Sequence, residues 1–233
     1  MTSDFYGNAS SEFAKERYVP VKAKKEVKNI TLGANSSACL MSDAKLIGFT
    51  TAKHKFVGKM FEGYQNVLEI GCMDGYGSMF VSQFVGHLTA LDFYKSHIDE
   101  AKTHVAPNFP NIEFMGHDFL DGPVGGNFDG CFSLDVLEHI DPDQEHVFLR
   151  NVVDSLRRGG AFIVGMPSLE SQQYASEANR FAHINCKTGS DFKTLMEEYF
   201  DSVFSFGMND EVVHTGYSKM SHYLINLCVG PKK

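Results

Sequence analysis

The sequence predicts an α/β fold, a mostly parallel seven-stranded sheet covered by helices on both faces. Three observations lead there. From Asn66 onward, short apolar runs alternate with segments of helical period, the pattern of consecutive βαβ units. The first of these runs breaks directly into a glycine-rich turn and then a helix, over Val67–Ser78. The last two apolar runs have no helix between them, which calls for a terminal hairpin and one antiparallel strand.

The elements follow in chain order. Residues 1–42 are polar, carry the basic cluster Lys22-Ala-Lys-Lys25 and lack a clear period. They are expected to form an N-terminal extension that folds as a lid over a main domain spanning 43–233. Ser42 or Asp43 caps a helix running to about Glu62, with Leu46, Phe49, Phe56, Val57 and Met60 inward and Lys53, His54 and Lys55 on a solvated face. Strands are expected at Val67–Gly71, Leu88–Asp92, Ile112–Met115, Phe128–Leu134 and Ala161–Met166. Helices are expected at Ser78–Val85, Ser96–Val105 and Asp143–Leu156. The last of these has an apolar stripe of Phe148, Leu149, Val152, Val153 and Leu156, a start at Asp141-Pro142 and a stop at Gly159-Gly160. A helix over Asp191–Phe200 and strands at Ser202–Met208 and His222–Val229 complete the chain.

Composition excludes several classes. With 43% hydrophobic residues and 20 Phe, the chain can bury a core, so wholesale disorder is excluded. Its 21 basic and 29 acidic residues leave a net charge of −8, which makes it a poor ligand for phosphate backbones or anionic membranes. No apolar run approaches the ~20 residues of a membrane span, and Met1–Arg17 has no apolar h-region of a secretory signal. Five widely spaced cysteines without a C-x-x-C speak against disulfides or zinc and for a reducing cytoplasm.

The glycine turn carries the chemistry. Glycines after a buried strand let backbone approach a ligand, and the following helix offers free N–H groups. The next strand ends in Asp92, placed to accept hydrogen bonds from a ribose diol. A nucleoside triphosphate loop would need a Lys after its last glycine, and none follows Gly75 or Gly77. The dinucleotide pattern G-x-G-x-x-G, counted from Gly71, meets Met73 and Tyr76 instead of glycine. An S-adenosylmethionine loop needs an acid closing the strand (Glu69), a glycine turn (Gly71, Gly75) and an acid closing the second strand (Asp92), and all three are present.

Over roughly Val67 to Pro167 the sequence resembles the class I S-adenosylmethionine-dependent methyltransferases, a Rossmann-like family. Glu69-Ile-Gly-Cys-Met-Asp-Gly75 is similar to the family's [DE]-x-G-x-G-x-G loop, and Leu91-Asp92-Phe93 to its ribose-binding strand end. His117-Asp118-Phe119 falls where the family places an acid near the adenine amino group. Phe128–Ile140 and Leu156–Val164 resemble its fourth- and fifth-strand motifs. The resemblance implies a seven-stranded sheet with its last strand antiparallel. It also implies an S-adenosylmethionine site formed by Glu69, Gly71, Cys72, Gly75, Asp92, Phe93, Asp118, Phe119 and Leu134. Met73 stands where the family usually has its middle glycine, and a Met does not easily take a positive φ. A re-routed loop or weakened cofactor binding is therefore expected.

Two histidines are the candidate catalytic residues. His139 follows the fourth strand, near where a transferred methyl would lie, and a neutral imidazole there can take a proton from a hydroxyl. His183 lies in the segment after the fifth strand, which often shapes the acceptor pocket in this family. His214 and Tyr217, between the last two strands, are further candidates. Asp135-Val-Leu-Glu138-His139 also resembles a run in ubiquinone-type O-methyltransferases that is linked to a divalent metal. Asp135, Glu138 and His139 would share a face if the segment were helical; no metal is included in the expected site. The reading is a methyltransferase acting on a small polar acceptor, most simply a sugar-like hydroxyl. N-methylation of a small molecule and a non-catalytic, partner-binding domain are the alternatives. Nucleic acid and membrane are not expected as partners.

Overall fold

A computed structural model describes residues 29–233, and Thr31–Lys233 form one compact unit. The basic cluster at Lys22–Lys25 lies outside the described residues. Two helices lead in, α1 (Ala34–Ser42) and α2 (Lys45–Met60). The alternating part follows as β1 (Asn66–Ile70), α3 (Tyr76–Val81), β2 (His87–Asp92), α4 (Lys95–His104), β3 (Ile112–Gly116), β4 (Phe128–Leu134), α5 (Glu145–Ser155) and β5 (Leu156–Pro167). The chain ends with α6 (Glu177–Ala182), α7 (Gly189–Tyr199), β6 (Phe200–Asn209), β7 (Val212–His214) and β8 (Tyr223–Pro231).

The strands form a single sheet of order β3-β2-β1-β4-β5-β8-β6-β7. Among the described residues it has eight strands rather than the expected seven. The extra one, β7, is a three-residue edge strand antiparallel to β6. So short a segment carries no periodic signal of its own. β8 runs antiparallel between β5 and β6, as the terminal hairpin requires.

Period-2 alternation distributes the core over the two faces of the sheet. Leu68 and Ile70 of β1 pack with Phe148, Leu149 and Val152 of α5 and Phe192 and Met196 of α7. Val67 of the same strand packs with Val57 and Phe61 beside α2, Met79 of α3, and Ile98 and Ala101 of α4. β1 and β4 are buried along nearly their whole length, as central parallel strands must be.

Several boundaries differ from expectation, each for a local reason. α5 ends at Ser155, before Gly159-Gly160. That pair instead sits in an irregular start of β5, where register jumps from Phe128↔Leu156 to Gly130↔Ala161 and Gly159 takes φ +74°. In α2, Leu46 and Met60 are exposed, whereas Lys53 and His54 are buried. The solvated face assigned to Lys53 and His54 is therefore the inward one, and only Lys55 remains in solvent. α1 lay unrecognised within the expected extension. Its sequence ANSSACLMS has weak amphipathicity, and its buried residue is the polar Ser36.

The strand order reverses between β1 and β4, since β2 and β3 lie on one side of β1 and β4 and β5 on the other. Ile70 stands level with Leu91 on one side and Ser133 on the other. The loops after β1, β2 and β4 thus emerge together at one edge, the switch point where open α/β sheets bind ligands.

Candidate functional site

The loop after β1 is shaped by two left-handed glycines. Gly71 has φ +84°, and a Cβ there would lie 2.3 Å from Val136 Cγ2. Gly75, at φ +81°, turns the chain into α3. The Gly71 and Cys72 N–H groups both donate to the Leu91 carbonyl at 2.8 Å, which fastens the loop to the end of β2. Met73 adopts φ +48°. It therefore follows the glycine-like path instead of re-routing the loop, and its side chain is pushed out to 47% exposure. A left-handed non-glycine residue costs roughly 1–2 kcal/mol, which the anchored loop around it must offset.

Asp92 is the hub of this loop. Its Oδ2 accepts from the Met73 N–H at 2.9 Å. Its Oδ1 accepts from the Tyr94 N–H at 2.9 Å and faces His97 Nδ1 at 3.1 Å. Glu69 is almost fully buried. Ser78 Oγ donates to its Oε2 at 2.5 Å, and His54 Nε2 lies 3.5 Å from its Oε1. A Cβ on Gly77 would strike that His54 ring at 2.0 Å, so only glycine lets α2 dock against α3 here. Cys72 is buried, and burial followed by the nearby Glu69 and Asp92 pushes its thiol pKa well up.

Of the remaining residues expected to touch a cofactor, Phe93 is 62% exposed and lies beside Tyr94 at 4.0 Å between ring centroids. Asp118 is exposed and accepts from the Leu120 N–H at 3.0 Å. Both border a hollow of about 500 Å³ next to Ile98 and Gly116. Phe119 and Leu134 are core residues instead. Phe119 packs edge-on against Phe148 at 5.4 Å, because its side chain follows the apolar face of α5 rather than the open edge.

Ser36 and Asp74 carry no local signal of their contact. Asp74, at the tip of the glycine loop, is buried, and the first turn of α1 binds it. Ser36 N donates to its Oδ2 at 2.8 Å and Ser36 Oγ to its Oδ1 at 2.6 Å. α1 therefore closes the loop from the chain's N-terminal side. A buried hydrogen bond to a charged acceptor is worth about 1.5–3 kcal/mol. Ser36→Ala should lower Tm by roughly 3–10 °C in a thermal melt. An unchanged melt would mean that the backbone N–H alone holds the contact.

The second half of the site lies past β4. Asp135 takes φ +58°, and its N–H donates to the Gly165 carbonyl at 3.0 Å. Its carboxylate pairs with Lys53, which also lies over the Tyr223 ring at 4.5 Å from the centroid. Leu137–His139 form a 3-10 turn. Asp135 precedes that turn in a left-handed conformation, so the face shared by those three residues in an α-helix does not form.

His139 and His183 come together instead, with ring centroids 5.1 Å apart. His139 Nδ1 lies 3.0 Å from the Ala182 carbonyl. A carbonyl only accepts, so Nδ1 carries a proton, and in the neutral ring the lone pair is on Nε2. His183 Nδ1 lies 3.0 Å from Gln172 Oε1 and is fixed in the same tautomer. Burial, then His139, holds the His183 pKa below the usual value. The segment carrying His183 is tied down by Asn185, whose N–H donates to the Glu138 carbonyl at 3.0 Å and whose Nδ2 donates to Glu145 at 2.8 Å. Glu138 is fully buried, and neither of its carboxyl oxygens has a partner among the described residues. Burial, then Asp135, pushes its pKa well up.

Glu138, His139 and His183 each present a ligand atom within 4.8 Å of the others. Two lone-pair imidazole nitrogens and a carboxyl suit a divalent cation chemically, with His183 in the place expected for Asp135. His214 is engaged locally. Its Nε2 faces Asn209 Oδ1 at 2.8 Å and its Nδ1 accepts from the Gly216 N–H at 3.0 Å. Tyr217 is exposed.

The reversed strand order, the glycine loop and the strand-end acids resemble the arrangement of class I S-adenosylmethionine-dependent methyltransferases. Residues 67–160 match the family model described as methyltransferase domain. A Mycolicibacterium smegmatis protein named as an S-adenosylmethionine-dependent methyltransferase is 29% identical over 106 residues, which is 45% of this chain and 38% of that protein. The chain thus aligns with well under half the length of its curated relatives. Among solved structures, the N-methyltransferase NodS of Bradyrhizobium japonicum, in complex with S-adenosyl-L-homocysteine, has a TM-score of 0.60. It is 18% identical and covers 78% of this chain and 88% of its own. A TehB-like methyltransferase of Corynebacterium glutamicum has a TM-score of 0.58 at 15% identity, covering 96% of this chain and 98% of its own. These likenesses establish the fold. No helix among the described residues is long and apolar enough to cross a membrane.

Proposed function

We propose that the protein transfers the methyl group of S-adenosylmethionine to a hydroxyl oxygen of a small polar, sugar-like acceptor. The observation that carries this is His139, an imidazole with Nδ1 held by the Ala182 carbonyl and Nε2 without a hydrogen-bond partner among the described residues, just past β4 at the switch-point edge. The loop Glu69–Gly75 and Asp92 would hold the cofactor, with Phe93 and Asp118 on its adenine side. The acceptor would enter between the Lys53–Asp135 pair and the His139–His183 pair. The sulfonium methyl is already activated, so the protein needs mainly to align the attacking oxygen with it and exclude water. As the oxygen attacks the methyl carbon and the carbon–sulfur bond breaks, His139 Nε2 takes the hydroxyl proton. A cation held by Glu138, His139 and His183 would instead acidify the acceptor hydroxyl.

N-methylation is the second reading. It draws on the Asp135 carboxylate at the mouth of the cleft, which could accept a hydrogen bond from an amine, and on the fold shared with an N-methyltransferase. Incubation with methyl-labelled S-adenosylmethionine and panels of polyols and of small amines, read by mass spectrometry, tests both. Label on an oxygen supports the proposal, label on nitrogen selects the second reading, and label on neither panel contradicts both. In the base mechanism, turnover persists in a chelator. Activity lost in EDTA and restored by Mg²⁺ or Zn²⁺ would assign the three side chains to a cation.

A further inference from the structure

We infer that the β6–β8 end of the sheet carries a second small-molecule site, which takes the carboxylate of a small amphipathic molecule. A hollow of about 390 Å³ opens there between β6, β8 and the first turns of α7. That volume falls within the usual range of ligand pockets.

Asn226 forms its floor. This side chain is 1% exposed, and its Oδ1 accepts from Ser205 Oγ at 2.7 Å. Its Nδ2 has no partner among the described residues. A buried donor left unpaired costs roughly 1–3 kcal/mol, and a ligand oxygen would remove that cost. The walls are apolar, formed by Phe192, Phe206 and Leu224.

Polarity at the rim has one sign. Lys193 borders the hollow, and its ion pair with Glu197, at 3.6 Å between exposed groups, is a weak one that a ligand anion can share. Gly189 and Ser190 open the eleven-residue α7 and also border the hollow, and a helix N-terminus favours negative charge. No Asp or Glu among the described residues lines it. Apolar walls, a free amide donor, a lysine and a helix N-terminus together suit an anionic head on an apolar body. One carboxylate oxygen would accept from Asn226 Nδ2 and the other would pair with Lys193. The hollow lies three to four strands from β1, about 14–19 Å at ~4.8 Å per strand, so it is separate from the glycine loop.

The test uses fluorine NMR and calorimetry with 4-fluorophenylacetate, its neutral amide and hexanoate on the full chain. Fragments of this size should bind with Kd on the order of 1 mM. Both acids should bind, the amide about tenfold more weakly, and saturating S-adenosylhomocysteine should displace neither acid. Asn226→Leu and Lys193→Glu should each weaken the acids by about tenfold or more. Lys193 is exposed, so its change should leave the fold intact, and unchanged affinity for S-adenosylhomocysteine would confirm folding of both variants. Failure of both acids to bind overturns the inference. So does equal binding of acid and amide, or no effect of Lys193→Glu. Displacement by S-adenosylhomocysteine would place the acids in the transfer cleft and overturn it too.

Discussion

His139→Ala is expected to lower kcat by about 10²–10⁴-fold, the usual contribution of a general base, and to leave the affinity for S-adenosylhomocysteine within about twofold. Two observations set this expectation. The ring is oriented by a backbone carbonyl at 3.0 Å, and it belongs to the edge past β4 rather than to the glycine loop. Removing it should therefore cost rate and not cofactor binding. Single-turnover kinetics beside calorimetry separate the two. Wild-type turnover in the variant would remove the base role and leave Asp135 as the polar group to test. Loss of cofactor affinity would mean that His139 supports the site structurally.

Asp92→Ala is expected to weaken S-adenosylhomocysteine binding by about 10- to 150-fold, from the roughly 1.5–3 kcal/mol of a hydrogen bond to a charged group. Its carboxylate would bind the ribose, and it already holds the Met73 N–H at the crown of the loop and the Tyr94 N–H at the start of α4. Asp92→Asn preserves the shape and one acceptor oxygen, so it should fall between wild type and the alanine variant. An Asp92→Ala protein with unaltered affinity would refute the ribose assignment.

The fold was largely legible because each of its signals is local. The run Val67–Gly71 is apolar, its break falls on glycines, and the helices after it carry apolar stripes. Those features give the strand order its β-α alternation before any packing is known. Met73 was legible as an oddity, though not how it resolves. A loop pinned at Leu91 and Asp92 forces the left-handed path on whichever residue stands there, and an exposed side chain tolerates it.

What stayed hidden depends on contacts between distant segments. Lys53 and His54 read as a wet face because charge and imidazole normally stay in solvent. They are inward because Asp135, 82 residues away, and the buried Glu69 accept them. His139 and His183 are each legible as candidates, but their pairing rests on the Asn185–Glu145 and Asn185–Glu138 tethers. Asp135 looked like a companion of Glu138 and His139, an arrangement that needs an α-helix where the chain makes a 3-10 turn. Ser36 lay in a segment with little pattern, and only its partner Asp74 gives it meaning.

The loop Glu69–Gly75, closed by Asp92, is expected to bind S-adenosylmethionine. Titration calorimetry of the wild-type chain with S-adenosylhomocysteine, and with NAD and ATP under the same conditions, tests it most directly. Saturable one-to-one binding of S-adenosylhomocysteine in the micromolar range is expected, with no heat from NAD or ATP. Absence of S-adenosylhomocysteine binding by a folded protein, or NAD binding of equal strength, would contradict it.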